Sequence, residues 1–324
     1  MLAYVLDAAE AASGRRPLVV YSPATAAIKE VFADRADFAL QETPRGTADA
    51  VRSALASVPA DVAEILVLSG DVPLVDPELL VKLLEVRRAE SAVMAIVAVG
   101  SYEPAGLGRV VRDPENDRVL RIVEEKDATR DELEIEEINA GIYAFDVAWL
   151  RETIEAVTPS PTTGEFYLPE LVSLARADHR PVVSLDVDDD GTLLGINDRT
   201  QLAAAVLDLQ LGINEAHMLA GVTMIDPART YIEPGIELAQ DVVLEPGVVL
   251  TGRTRVGPRS RIGAGSQLID SEVGADCWIQ ASVLEGCHVA DGSQLGPFVH
   301  LKAGDSGVLN VSMPARPKGR GKGS

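Results

Sequence analysis

The 324-residue sequence predicts an α/β chain, a Rossmann-like doubly wound sheet followed by a short left-handed parallel β-helix of hexapeptide repeats. Two observations carry the prediction. From about residue 16 to 99, short aliphatic runs alternate with helical patterns, the cadence of a parallel sheet buried on both faces. Beyond residue 230, aliphatic residues return at a six-residue interval, too short for hairpins and suited to stacked coils.

Taken in order, PLVVYS (17–22), EILVLS (64–69) and SAVMAIVAV (91–99) read as buried strands. Helical stretches begin near Ala24, Thr47 and Pro77. RVVRD and RVLRIVEE flank the turn-forming Pro114, Glu115, Asn116 and Asp117, which predicts a hairpin. The sheet pattern resumes in NAGIYAFDV (139–147) and PVVSLDV (181–187). A long helix from about Arg199 to Met218 then leads away from it. In the last part Ile232, Leu238, Leu244, Leu250, Val256, Ile262 and Leu268 keep strict register, continued with small slips by Val273, Ile279, Leu284, Val289, Leu295 and Leu301. Gly, Pro, Ser and Asp fill the intervals, as tight turns require, and three hexads per coil make roughly four coils. The expected domains are 1–198 for the sheet, 199–229 for a connector helix and linker, 230–304 for the β-helix and 305–324 for a disordered tail. That tail gathers Arg316, Lys318, Arg320 and Lys322 among Gly and Pro.

Composition narrows the function. A hydrophobic content of 47% supports sizeable cores, and a formal net charge of −21 argues against nucleic acid as the main partner. A polyanionic substrate would need local help from a metal. No apolar run is long enough to suggest a membrane span, and a cytoplasmic location is expected. Cys277 and Cys287 are too few for a disulfide framework and are expected to pack as small apolar residues.

In LVLSGDVPL (66–74) an apolar strand runs into a Gly70-Asp71 turn, leaving the Asp71 carboxylate where parallel sheets hold ligands. Taken alone, ordinary turn chemistry also accounts for it, with Asp76 capping the next helix. QETPRGTADA (41–50) ends a strand and opens a helix, where Gly46 permits close approach and the helix N-terminus supplies oriented donors; Thr47 as a plain N-cap is equally consistent. Gly106 and Gly108 bracket a loop that could meet a ligand. In RIVEEKDAT (121–129) strand alternation would turn Glu124 and Lys126 to one side, a carboxylate for sugar hydroxyls and an ammonium for phosphate. Asn139 and Asn197 fall where apolar strands meet turns.

The order of these segments is more specific than any one of them. Gln41-x4-Gly46-Thr47, then SGDVPL, GLGR, VEEKDA, EINAGIYAFD, INDR, LAGVTMIDPA and hexapeptide repeats closely resembles the bifunctional N-acetylglucosamine-1-phosphate uridyltransferase and glucosamine-1-phosphate acetyltransferase family of bacterial cell-wall precursor synthesis. The resemblance covers nearly everything from Met1 to about Gly304, with Pro169-Glu170 where Thr-Asp is usual. It implies that Asp71 and Asn197 ligate Mg2+ and carry the catalytic chemistry, that Gln41, Gly46 and Thr47 contact uracil, and that Gly70, Gly108, Glu124, Asn139 and Asn197 contact the sugar nucleotide. The implied substrates are UTP and N-acetylglucosamine 1-phosphate, joined with release of pyrophosphate and without a side-chain nucleophile.

Departures from the family set further expectations. Its first domain opens with a strand and a glycine-rich phosphate loop, whereas MLAYVLDA (1–8) resembles the helix after that loop, so the resemblance implies a chain truncated at its start. Without the first strand, two neighbouring strands are expected to expose unpaired backbone. Similarity fades after GPFVHLKAG (296–304), short of the family's acetyltransferase centre, and Lys302 stands where an Arg is usual. His179, His217, His288 and His300 do not fall on the acetyltransferase motif, so no acetyl transfer is expected. A homotrimer through the β-helix is expected to be weakened. The alternatives are a glucose-1-phosphate type of nucleotidyltransferase and a catalytically dead regulatory or scaffold relative.

Overall fold

The computed structural model describes residues 1–100, 106–188, 191–193 and 195–304; the basic tail, the start of the Gly106-Gly108 loop and Leu194 lie outside the described residues. The chain divides into two compact units, Met1–Leu202 and Ala203–Ser324, so that the boundary falls inside the long helix.

In the first unit the elements follow in the order α1 (Leu2–Ser13), β1 (Leu18–Tyr21), α2 (Ile28–Val31), β2 (Asp37–Leu40), α3 (Thr47–Leu55), β3 (Glu64–Val67), α4 (Pro77–Ala89) and β4 (Met94–Gly100). After these come β5 (Arg109–Arg112), β6 (Val119–Val123), α5 (Arg130–Leu133), β7 (Glu137–Asp146), α6 (Val147–Thr153), α7 (Glu170–Ala177), β8 (Val182–Asp188) and α8 (Arg199–Leu219). The aliphatic runs are strands, and the helices begin at Thr47 and Pro77 as expected. The stretch from Ala24 differs: a capping box of Ser22 and Thr25 closes a single 3-10 turn there, and α2 is only four residues long. Asp76 does cap α4, its Oδ1 accepting from Glu78 N at 2.8 Å.

Six strands form a mixed sheet in the order β6-β5-β7-β4-β8, with β3 on β7. β4 and β8 are parallel, while β7 runs antiparallel to β3, β4 and β5, and β5 and β6 make the predicted hairpin. The antiparallel strand that an aliphatic run cannot declare is β7. β4 lies between β7 and β8 with all but its last residue buried, which is why its sequence is continuously apolar. Two clusters line the faces of the sheet, one around Met94, Ile96, Phe145 and Leu150, the other around Leu80, Leu83, Val97 and Ile142. β1 and β2 form a separate parallel pair. Among the described residues β1 pairs only with β2 and β3 only with β7, so each keeps one edge without a ladder partner.

The second unit stacks short parallel strands into sheets of five, four and five, as a left-handed β-helix of hexapeptide repeats requires. Leu250 pairs with Leu268, Leu268 with Leu284 and Leu284 with Leu301, so the slips in the repeat are absorbed in the turns and the aliphatic ladder stays aligned. Ile232, Leu244, Leu250, Ile262, Leu268, Ile279 and Leu284 are fully buried. Ser and Thr at the corners are buried too, and they satisfy backbone: Ser260 Oγ donates to Gly274 O at 2.7 Å and accepts from Cys277 N at 3.0 Å. Cys277 is buried in this core and Cys287 packs against it, both as free thiols. Asn214 of α8 is buried and donates to Pro227 O and Thr230 O, tying the helix to the first corner. No helix among the described residues is long and apolar enough to cross a membrane.

Candidate functional site

The expected site residues fall into three groups around the ends of the strands of the first unit. β3 ends at Val67 and the chain turns through Gly70 and Asp71. The Asp71 carbonyl accepts from Ile196 N at 2.9 Å, which lays residues 195–197 along the turn. A Cβ at Gly195 would stand 3.2 Å from Asp71 Oδ2, so this glycine brings backbone up against the carboxylate. Asn197 follows at once: its Nδ2 donates to Gly195 O at 3.2 Å, leaving Oδ1 as its open polar atom. Among the described residues nothing donates a hydrogen bond to the Asp71 carboxylate.

This donor set suits a hard divalent cation. One carboxylate and one amide oxygen are oxygen donors of the kind such a cation takes. Among the described residues no cluster of three or more His, Cys, Asp or Glu could hold a metal.

The second group is Gly108, Glu124 and Asn139. Gly108 O accepts from Asn139 N at 2.9 Å, and a Cβ on Gly108 would lie 3.6 Å from Glu124 Oε1. β6 ends at Val123 and a 3-10 turn begins at Glu125, so the strand alternation expected to pair Glu124 with Lys126 stops one residue short; Glu124 is half-buried and Lys126 exposed. Burial, with Asp127 and Glu165 nearby, pushes the Glu124 carboxyl up, and Lys126 only partly opposes this. Asn139 lies within β7 instead of at its edge, 8% exposed. Its Nδ2 donates to the buried Tyr143 hydroxyl at 2.6 Å, and its Oδ1 accepts from Gly141 N at 3.3 Å. Burial raises the Tyr143 hydroxyl far above its ordinary range, so it stays a neutral partner. Gly141 takes a φ of 71°, and a Cβ there would come 3.2 Å from Ser69 Oγ. That contact joins this group to the Gly70-Asp71 turn.

The third group is Gln41, Gly46 and Thr47. Gly46 is the N-cap of α3 with a φ of 109°, and a Cβ there would meet Phe166 O at 2.5 Å. Thr47 is the first helical residue, not the N-cap, and its hydroxyl accepts from Leu168 N at 2.9 Å. Both are thus committed to the 166–168 segment. Gln41, 8% exposed, donates from Nε2 to Asp49 Oδ2 at 2.7 Å and to Gly46 O at 3.4 Å, so that Oε1 is the end of the amide turned away from Asp49. Leu40, Gln41, Thr43, Arg45 and Asp49 line a hollow of about 480 Å³. The 160–168 segment links this group to the second, since Phe166 N donates to Arg45 O at 2.7 Å while Glu165 acts on Glu124.

Sequence reasoning missed Asp49, Tyr143 and Ser69. An Asp in the first turn of a helix and a Tyr in an apolar strand are ordinary, and nothing local marks either one.

A family model described as Nucleotidyl transferase matches residues 1–191. Among similar proteins, the "Bifunctional protein GlmU" of Streptococcus equi subsp. zooepidemicus is 37% identical over 302 residues, covering 93% of this chain and 65% of that protein. That of Caldanaerobacter subterraneus subsp. tengcongensis is 35% identical with the same coverage. That of Mycobacterium tuberculosis is 35% identical over 312 residues, covering 94% of this chain and 63% of the relative. The chain therefore spans just under two thirds of the length of these relatives.

Proposed function

This chain belongs to the nucleotidyl transferase family, and we propose that it joins UTP to N-acetylglucosamine 1-phosphate, forming UDP-N-acetylglucosamine and pyrophosphate. The observation that carries the reading is the Asp71 turn, whose carboxylate is held against Gly195 and beside Asn197 with no hydrogen-bond donor of its own among the described residues. The order of motifs from Gln41 to the hexapeptide repeats supports this sugar nucleotide, and with a net charge of −21 a cation at Asp71 would offset the repulsion of a polyanionic pair of substrates.

In this reading a phosphate oxygen of the sugar 1-phosphate attacks the α-phosphorus of UTP in line and the bond to pyrophosphate breaks. Asp71 and Asn197 would hold Mg2+, which would supply neutralisation of charge on the reacting phosphates. Glu124 and Asn139 bind the sugar: the Glu124 carboxylate accepts from sugar hydroxyls, and the Asn139 amide is fixed by Tyr143 and Gly141. Gln41 meets the base. No protein nucleophile takes part, so rate comes from alignment and charge neutralisation.

The test is pyrophosphate release by the purified chain with UTP and Mg2+, comparing N-acetylglucosamine 1-phosphate with glucose 1-phosphate. The expected result is turnover that favours the N-acetylated sugar. Preference for glucose 1-phosphate would transfer the chain to the glucose type, and release with neither sugar would reject the reading.

A further inference from the structure

Asp49 stands behind the base-contacting residue and does something a neutral side chain could not. It is 3% exposed, and its two oxygens are divided between neighbours. Oδ2 accepts from Gln41 Nε2 at 2.7 Å, while Oδ1 accepts from Arg45 at 2.9 Å, with Arg52 3.5 Å away. Burial works against its charge, but the hydrogen bonds from Gln41 and Arg45 and the charges of Arg45 and Arg52 outweigh it and hold the carboxyl below the usual range. An ionised carboxylate has no proton to give, so the group facing it from Gln41 has to be the NH2 end of the amide. The second hydrogen of that NH2 is directed at Gly46 O, 3.4 Å away. Both donors of Gln41 are therefore turned inward, and only the carbonyl oxygen, Oε1, is left for a ligand.

We propose that Asp49 is a positioning residue that sets base specificity: by locking the Gln41 amide with Oε1 outward, it selects a pyrimidine that carries a ring N–H, uracil, over cytosine. The inference rests on the reading in which Gln41 meets the base. Uracil offers N3–H as a donor to Oε1. Cytosine presents a bare N3 acceptor at the same place, so two acceptors would face each other with no hydrogen between them. Turning the amide over to suit cytosine would set Oε1 against the Asp49 carboxylate, moving the same conflict inside the protein. The selection thus comes from a repulsive element two steps from the ligand as much as from the contact itself.

Calorimetric titration of the full chain with UDP, CDP and N3-methyl-UDP in the presence of Mg2+ tests this, on the wild type and on Asp49→Asn. The wild type is expected to bind UDP at least about tenfold more tightly than either of the others, because a polar site rejects an analogue that cannot make its hydrogen bond. In Asp49→Asn the amide at residue 49 can accept from Gln41 Nε2 or donate to Oε1, so both orientations of Gln41 become available. CDP affinity should rise and the UDP-to-CDP ratio fall to about threefold or less. A merely structural role for Asp49 would weaken both nucleotides together and leave the ratio intact, and that result would overturn the proposal. If Asp49→Asn does not fold, wild-type binding decides: equal affinity for UDP and N3-methyl-UDP overturns it. Wild-type protein that binds none of the three nucleotides would reject the base-site reading and the inference together. Wild-type discrimination that persists unchanged in Asp49→Asn would reject only the role of Asp49.

Discussion

Glu124 combines a structural cost with a proposed role in binding the sugar. Burial, reinforced by Asp127 and Glu165, raises its carboxyl, so the folded protein holds that proton more readily than the unfolded chain does. Its contribution to stability is fully present below the unfolded carboxyl's value of about 4.3 and is lost as pH rises through the higher folded value. Glu124→Gln should therefore raise the melting temperature at neutral pH, with the gain shrinking toward pH 4, while sugar-nucleotide binding weakens. Thermal unfolding followed at several pH values checks the sign, and a gain that grows on acidification would contradict it. Asp71, Glu124 and Asn139 enter the candidate site through the order of their motifs, which spacing alone records. Asp49 and Tyr143 do not, because their roles depend on a neighbour's hydrogen-bonding state, which sequence spacing does not record.

At the scale of elements, α3 depends on a close approach at its first turn. Gly46 has a positive φ, and the space where a side chain would begin is filled by backbone of Phe166, while Thr47 and Ala48 are bonded to Leu168 N and Phe166 O. Gly46→Ala combines backbone strain with a clash that no rotamer relieves. It should cost about 1–3 kcal/mol, measured by denaturant unfolding, and should weaken UDP binding by displacing Gln41. Unchanged stability would show that the 166–168 segment can move aside. The strands and their positions were legible from aliphatic runs, and α3 and α4 from their first residues. The direction of β7 was not, because an apolar run reads the same in either orientation, nor was the early end of β6, because charged residues continue past the ladder.

At the scale of the whole molecule, the chain unites a mixed sheet of six strands, a separate pair of β1 and β2, and a β-helix whose repeat was visible almost residue by residue. Hexapeptide periodicity is the most legible part because each coil repeats the same burial, so one spacing rule describes the entire core. Among the described residues β1 pairs only with β2 and β3 only with β7, which leaves one edge of each without a ladder partner. With a net charge of −21, the proposed binding of a nucleoside triphosphate and a sugar phosphate calls for positive charge concentrated at one place, and in the proposed reaction a cation at Asp71 and Asn197 would supply it. The most direct measurement is pyrophosphate release from UTP and N-acetylglucosamine 1-phosphate against Mg2+ concentration, for the wild type and for Asp71→Ala. Saturable, chelator-sensitive turnover is expected in the wild type, with a loss of at least about a hundredfold in the folded variant. Turnover by Asp71→Ala equal to the wild type, with the same Mg2+ dependence, would contradict that expectation.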